Sequence, residues 1–160
     1  MSTDQNKAIH EQLLHAMRGD QSHIDFDSAT SDLSAELGGL KPEGASHTAW
    51  QLLEHMRMAQ HDILEFSRNP KHKSPEWPEG YWPKTEAPPS QKSWEASIAM
   101  FRKEAQEMED LISDPNQNLF KPIEGASGQT LLREALVLAA HNSYHLGQLV
   151  FLKKMLLAKI

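Results

Sequence analysis

The sequence predicts an all-α fold, a four-helix bundle whose helices are joined by long crossover connections. Four segments carry apolar residues at steps of three and four, the spacing that places side chains on one face of a helix. Between them we find no alternation of apolar and polar residues that would indicate a strand. A chain of 160 residues is long enough to bury a sizeable core, so we expect one domain over residues 1–160.

Each predicted helix has sequence signals at its ends. Gly19 stops the first helix, and residues 20–45 are interpreted as a structured crossover with one or two helical turns. Thr48 and Gln51 form a capping-box pair at the start of the second helix. The four helices are predicted over residues 4–17, from 46–48 to Asn69, from Ser90 or Ser93 to Asp114, and from a cap at Ser127 nearly to the end of the chain.

The segment between the second and third helices cannot be helical, because residues 70–90 hold six of the nine prolines. We expect a long ordered loop there. Its aromatic residues Trp77, Tyr81 and Trp82 either roof a pocket or plug one end of the bundle, and we favour the plug because large aromatic side chains in such loops mainly provide buried area.

The composition excludes several classes of protein and site. The chain has no Cys, so disulfides, thiolate metal sites and a cysteine nucleophile are ruled out. A net charge of -6 with scattered basic residues argues against binding nucleic acid. No apolar run approaches 18 residues, so we expect no membrane span, and the N-terminal residues do not resemble a signal peptide, so we expect a cytoplasmic protein.

Nine histidines are the unusual feature of the composition, and two of them form a candidate metal-binding pair. His141 and His145 are four residues apart, which places them on one helical face and close enough to bind one ion. Roughly 0.5 such pair is expected by chance at this histidine content, so the spacing alone decides little. Both, however, lie on the apolar stripe of the fourth helix with Leu138, Leu149 and Leu152, which turns them toward the interior.

His55 is the candidate third ligand. It lies at the edge of the apolar stripe of the second helix, and packed helices are about 8 to 10 Å apart, so its imidazole can reach an ion held by the pair. Three protein ligands leave a position for water or substrate, which is typical of a catalytic site. The alternative is that His141 and His145 are hydrogen-bonded core residues and that His55 lies on the surface.

Other polar residues are weaker candidates. His47 is predicted to be a cap or a pocket-rim residue, and His47 and Glu54 are the candidate proton shuttles if the site hydrolyses its substrate. Gln148 is expected either to hydrogen-bond near the site or to face solvent. The histidines predicted not to bind the ion are His10, His15, His23, His61 and His72.

The candidate ligands lie in segments that resemble the DinB-like metal-binding superfamily of four-helix bundles. The matching segments are WQLLEHM, which ends at Met56, and HNSYHLGQL, which begins at His141. In that superfamily a histidine of the second helix and an HxxxH pair of the fourth hold a divalent ion, which implies His55, His141 and His145 here. Two positions depart from the pattern: many relatives have an acidic residue where Asn142 stands and a basic one where Leu146 stands.

The resemblance implies transfer of a low-molecular-weight thiol such as bacillithiol, mycothiol or glutathione, although the superfamily also includes a maleylpyruvate isomerase. We therefore expect a metal-dependent S-transferase acting on a small thiol and an electrophilic substrate, with the ion lowering the pKa of the thiol. The alternatives are a metal-dependent hydrolase and a non-catalytic protein that binds a metal or a stress metabolite. Three imidazoles suit zinc or nickel, with iron and copper as further candidates.

The end of the fourth helix predicts an interface between two copies of the chain. It carries more apolar surface than one seam of a bundle covers, at Phe151, Leu152, Met155, Leu156, Leu157 and Ile160. Two-fold pairing is the commonest way to cover such a surface, so we expect a homodimer that leaves each metal pocket accessible. The alternative is that the crossover and the aromatic loop cover the surface within one chain.

Overall fold

The structure, a computed structural model, describes residues 3–158 and is all-helical over that range, as predicted. Its α-helices there are α1 (Thr3–Arg18), α2 (Phe26–Thr30), α3 (Ala35–Gly38), α4 (Ala49–Arg68), α5 (Gln91–Ser113) and α6 (Leu131–Leu157), with a 3-10 turn at Glu79–Tyr81. No helix in the described range is long and apolar enough to cross a membrane.

The four long helices form the bundle. Helix α4 packs against α5 and α6, and α1 packs against the same two helices, so the order around the bundle is α1, α5, α4, α6. The two short helices belong to the crossover, which is structured as predicted: α2 packs on α6, and α3 packs on α4 and α5. Side-chain caps start both short helices, from Asp25 and Ser34 respectively.

The predicted starts of the second and third helices are confirmed by the structure, and the predicted start of the fourth is wrong. The capping box of Thr48 and Gln51 begins α4, and Ser90 caps α5. Ser127, however, does not cap the fourth helix, which begins after Thr130. Gly128 has a φ of +106°, a left-handed conformation that interrupts any helix through it, and the Thr130 side chain accepts the backbone N–H of Arg133 instead.

The interior of the bundle consists of two hydrophobic clusters with a polar layer between them. The first cluster, near the crossover, includes Trp50, Leu53, Met56, Trp94, Leu146, Leu149, Leu152 and Leu156. The second cluster, at the other end, consists of Leu13, Leu64, Met108, Ile112, Leu119, Leu131, Ala135 and Leu138. The side chains between them on α4 and α6, here called the polar layer, are those of His55, Gln60, His141, Asn142 and His145.

The apolar surface predicted at the end of the fourth helix is smaller than expected. Leu152 and Leu156 are buried in the first cluster, so assigning them to an exposed surface was wrong, and Ile160 lies outside the described residues. Phe151 is 67% exposed, and the outer face of α6 continues through Tyr144. An exposed apolar face therefore exists, but it runs along the middle of α6 as well as its end.

Candidate metal centre

His55 lies in α4 at the bundle interior, with only 2% of its surface exposed. Its Nδ1 is 2.7 Å from the backbone carbonyl oxygen of Tyr81. Because a carbonyl oxygen can only accept, Nδ1 carries the proton, and the Nε2 of the neutral ring has a free lone pair. The side chain predicted to be either a ligand or a surface residue is thus buried and oriented.

The structure brings all three predicted ligands together. The Nε2 atoms of His141 and His145 each lie 3.1 Å from the Nε2 of His55, and one ligand atom from each of the three residues lies within 4.8 Å of the other two. The Nε2 of His55 has a single lone pair in the plane of its ring, so it can accept a hydrogen bond from at most one of its two neighbours. Hydrogen bonding among the three rings therefore leaves the group unsatisfied.

The outer nitrogens of the pair also face acceptors. His145 Nδ1 lies 2.8 Å from Oε1 of Gln148, and His141 Nδ1 lies 3.4 Å from Oδ1 of Asn142. With Nδ1 donating in each ring, the three Nε2 lone pairs converge on one point. Gln148 thus hydrogen-bonds within the site, which was one of the two outcomes expected for it.

Burial favours the neutral form of these imidazoles. It lowers the pKa of His55 and of His141, and it lowers the pKa of His145 to about 4, although the hydrogen bond to Gln148 opposes the shift. Neutral histidine is the form that binds metals, so at neutral pH the three rings are ready to act as ligands without losing a proton.

The chemistry and spacing of this donor set fit a divalent cation. Two imidazole nitrogens bound to a tetrahedral zinc at about 2.0–2.1 Å are about 3.3 Å apart, close to the observed 3.1 Å. A cation would satisfy all three lone pairs at once, which hydrogen bonds among the rings cannot do. Three nitrogen ligands and no thiolate suit zinc, nickel, copper or iron.

The aromatic loop lies over the site. The Trp82 indole stacks on His55 with ring centroids 3.9 Å apart and an interplanar angle of 4°. His47 also stacks on Trp82, with ring centroids 4.2 Å apart. Trp82 also packs against the first cluster, so it both covers the histidines and fills space at this end of the bundle. Trp77 is 71% exposed, so the plug interpretation is wrong for that residue.

Asp62 anchors this loop to α4. Its two carboxylate oxygens accept the Tyr81 hydroxyl at 2.6 Å and the His72 Nε2 at 2.7 Å. Burial, together with the hydrogen bond to Asp62, raises the pKa of the Tyr81 hydroxyl to about 12. The residue whose carbonyl orients His55 is therefore held through its side chain as well.

The weaker candidates are placed apart from the three ligands. Glu54 accepts hydrogen bonds from Arg57 at 2.8 and 2.9 Å; burial alone would raise its pKa, but these bonds and one from Ser97 bring the pKa below its ordinary value. His47 lies at the rim, as predicted, and burial and the charge of Lys41 lower its pKa. The other histidines bond elsewhere: His10 to Ile112, His15 to Asp20, His23 to Ser143, His61 to Glu104 and His72 to Asp62.

A pocket of about 260 Å³ adjoins the group of histidines. Its walls come from α4, α6 and the residues before α4, and the side chains that line it include His47, Leu52, Gln148, Phe151, Leu152 and Met155. Gln148 belongs both to the pocket and to the site, because it hydrogen-bonds to His145. The pocket is lined mainly by apolar surface with a few polar groups, as is usual for small-molecule sites.

A comparison with protein-family models matches residues 18–149 to the DinB superfamily. The chain belongs to that superfamily. The matched range runs from the last residue of α1 into α6 and contains all three histidines of the group. Comparisons with curated proteins and with solved structures found no match.

Sequence reasoning missed the groups that orient His55 and His141, although it had named Gln148 as a possible hydrogen-bonding partner near the site. The acceptor for His55 is a backbone carbonyl 26 residues away, and a backbone atom leaves no trace in residue type. Gln60 could have been found from the sequence, because it lies one turn from both Met56 and Leu64 on an apolar face, where a polar side chain needs buried partners. The stacking of Trp82 on His55 depends on the path of the loop, which proline content alone does not define.

Proposed function

We propose that the protein is a metal-dependent S-transferase in which His55, His141 and His145 hold a divalent ion. The observation that supports it is the convergence of three Nε2 atoms around one point while their Nδ1 atoms face acceptors. Membership in the DinB superfamily is compatible with metal binding, and transfer of a thiol is the activity that the resemblance implies.

A bound divalent ion acts as a Lewis acid and lowers the pKa of a coordinated thiol. The protein then needs no nucleophile of its own, which agrees with the absence of Cys. Its residues hold and orient the ligands, and Trp82 excludes water from one face of His55. The adjoining pocket, with Leu52, Phe151 and Met155 in its walls, receives the apolar part of a substrate.

The first experiment measures metal content. Protein purified without a nickel column is expected to contain about one ion per chain, with zinc or nickel as the candidates, and His145→Ala is expected to lose it. His15→Ala is a matched control because His15 is an exposed histidine paired with Asp20. If the His145→Ala variant retained the ion, the three-histidine site would be refuted.

The second experiment measures transfer. Loss of free thiol in the presence of a chloro-aromatic or epoxide electrophile is expected with the wild type and the His15→Ala control, and not with His145→Ala. Turnover that survives His145→Ala contradicts a role for the site. Metal binding without turnover on any thiol identifies a binding protein instead of a transferase.

We also propose that the protein is a homodimer joined through the outer face of α6. This face carries Leu136, Val137, Tyr144 and Phe151, which are 36% to 67% exposed, and has no charged residue between Arg133 and Lys153 among its exposed positions. A helix that is apolar on its outer face as well as its inner face is typical of one covered on both sides. Light scattering distinguishes a mass of twice 18.1 kDa from a monomer, and Val137→Lys with Tyr144→Lys, two changes outside the pocket, is expected to give the monomer.

A further inference from the structure

Gln60 is a buried amide on a face of α4 that is otherwise apolar. It is 1% exposed, and it lies one turn after Met56 and one turn before Leu64, which are equally buried. Burying an amide is unfavourable unless its donors and its acceptor find partners. Gln60 has both kinds: its Nε2 donates to the backbone carbonyl of Phe101 at 2.7 Å, and its Oε1 accepts from Asn142 Nδ2 at 3.2 Å.

These contacts permit one consistent direction of hydrogen bonding. The Phe101 carbonyl can only accept, so the amide nitrogen of Gln60 must point toward α5 and the amide oxygen toward α6. That oxygen needs a donor, which makes the nearer atom of Asn142 its nitrogen. The Asn142 oxygen is then left facing His141 Nδ1 at 3.4 Å, where it can only accept.

We propose that Gln60 and Asn142 are positioning residues that set the tautomer of His141. The chain of hydrogen bonds starts at a backbone carbonyl of α5, crosses α4 and ends on the imidazole of α6. It puts the proton of His141 on Nδ1 and turns the lone pair of Nε2 toward His55. The inference rests on the proposed metal centre for its purpose, but the tautomer itself exists without a metal.

The three ligands then have three separate orienting groups. His55 is oriented by the Tyr81 carbonyl, His145 by Gln148, and His141 by Asn142 with Gln60 behind it. The contact to His141 is the longest of the three, so His141 depends most on Asn142 being held in one orientation. Gln60 provides that, since without it the Asn142 amide could rotate and present its nitrogen to His141.

Nitrogen-15 NMR of the histidine rings in the metal-free protein tests the tautomer directly. In the wild type, His141 is expected to be protonated on Nδ1. Asn142→Leu and Gln60→Met are expected to move part or all of the population to the Nε2-protonated form, while His55, which has its own acceptor, stays unchanged. Asn142→Asp is expected to keep the wild-type tautomer, because a carboxylate oxygen still accepts from Nδ1.

Metal affinity is the second readout. Loss of an outer hydrogen bond to a ligating histidine typically weakens binding about 10- to 100-fold, and we expect that range for Asn142→Leu and Gln60→Met. Ser143→Ala, the next position in α6, whose hydroxyl contacts His23, is the matched control and is expected to bind like the wild type. Circular dichroism identifies any variant that does not fold, in which case the other variants decide.

The outcomes separate this inference from the proposed function. A wild-type His141 protonated on Nε2, or a tautomer unchanged in both Asn142→Leu and Gln60→Met, overturns the inference even if metal binding is found. A wild type that binds no metal refutes the metal centre, while the tautomer shift in the metal-free variants still supports the positioning role.

Discussion

The second cluster and the polar layer share helices α4 and α6, where they lie about one turn apart, but their side chains meet different physical requirements. Leu64, Met108 and Leu138 are almost fully buried and need only to fill space. In the polar layer, His55 and Gln60 are as deeply buried, but each of their nitrogen and oxygen atoms requires a partner of the right kind. Helices α4 and α6 are therefore held together by close apolar packing in the second cluster and by directional hydrogen bonds in the polar layer.

Removing volume from the second cluster is expected to have the largest effect on folding. Leu64→Ala creates a cavity at a fully buried position, and we expect the free energy of unfolding to fall by about 2–5 kcal/mol, measured by urea denaturation. Metal affinity should stay close to that of the wild type. Leu40→Ala, at a half-exposed position after α3, is the control and should change stability by less than about 0.5 kcal/mol.

Removing the ion is expected to affect the polar layer and not the cluster. An ion bound only by the native state stabilises by about 2.7 kcal/mol at a hundredfold excess over its dissociation constant. A chelator should therefore lower the melting temperature of the wild type while helix content at room temperature persists, because the apolar clusters remain. His145→Ala should show no difference with and without chelator. A wild-type melting temperature that changes with neither added metal nor chelator would contradict the metal site.

Loosening the loop over the site should have a smaller effect. Asp62→Ala removes the acceptor for both Tyr81 and His72, and we expect metal affinity to fall about 10-fold because the Tyr81 carbonyl is held less firmly against His55. The absorbance titration of tyrosine should change too, because the pKa of the Tyr81 hydroxyl is expected to fall from about 12 toward its ordinary value. Asp110→Ala, an exposed carboxylate bonded to Gln106, is the control that should change neither.

The smallest expected effect is on the outer face of α6. A Cβ added at Gly147 meets no atom within 4 Å, so nothing within the described residues requires a glycine there. Gly147→Ala should stabilise the monomer by about 0.5–1 kcal/mol through helix propensity, measured by denaturation in dilute solution. If light scattering at higher concentration shows that Gly147→Ala weakens the dimer, the outer face of α6 is the interface between the two copies. An unchanged dimer would mean that the two copies meet at another surface.

Periodicity predicted the clusters because burial of apolar side chains depends only on which face they occupy. The same periodicity predicted that His141 and His145 face the interior of the bundle. It also placed His55 at the edge of the apolar stripe of α4, within reach of the pair. It could not predict that Thr130 and not Ser127 caps α6, because that depends on the conformation of Gly128. Nor could it predict the groups that orient His55 and His141, since Tyr81 acts through its backbone and Asn142 acts only because Gln60 fixes it.

The face-to-face contact between Trp82 and His55 makes the indole an optical probe of the site. Zinc has a filled d shell and no redox activity, so its arrival beside this indole leaves the excited state largely intact. Nickel and copper have open d shells and quench a nearby indole strongly. The emission of Trp82, isolated by replacing the other three tryptophans with phenylalanine, would therefore report which class of ion the protein holds.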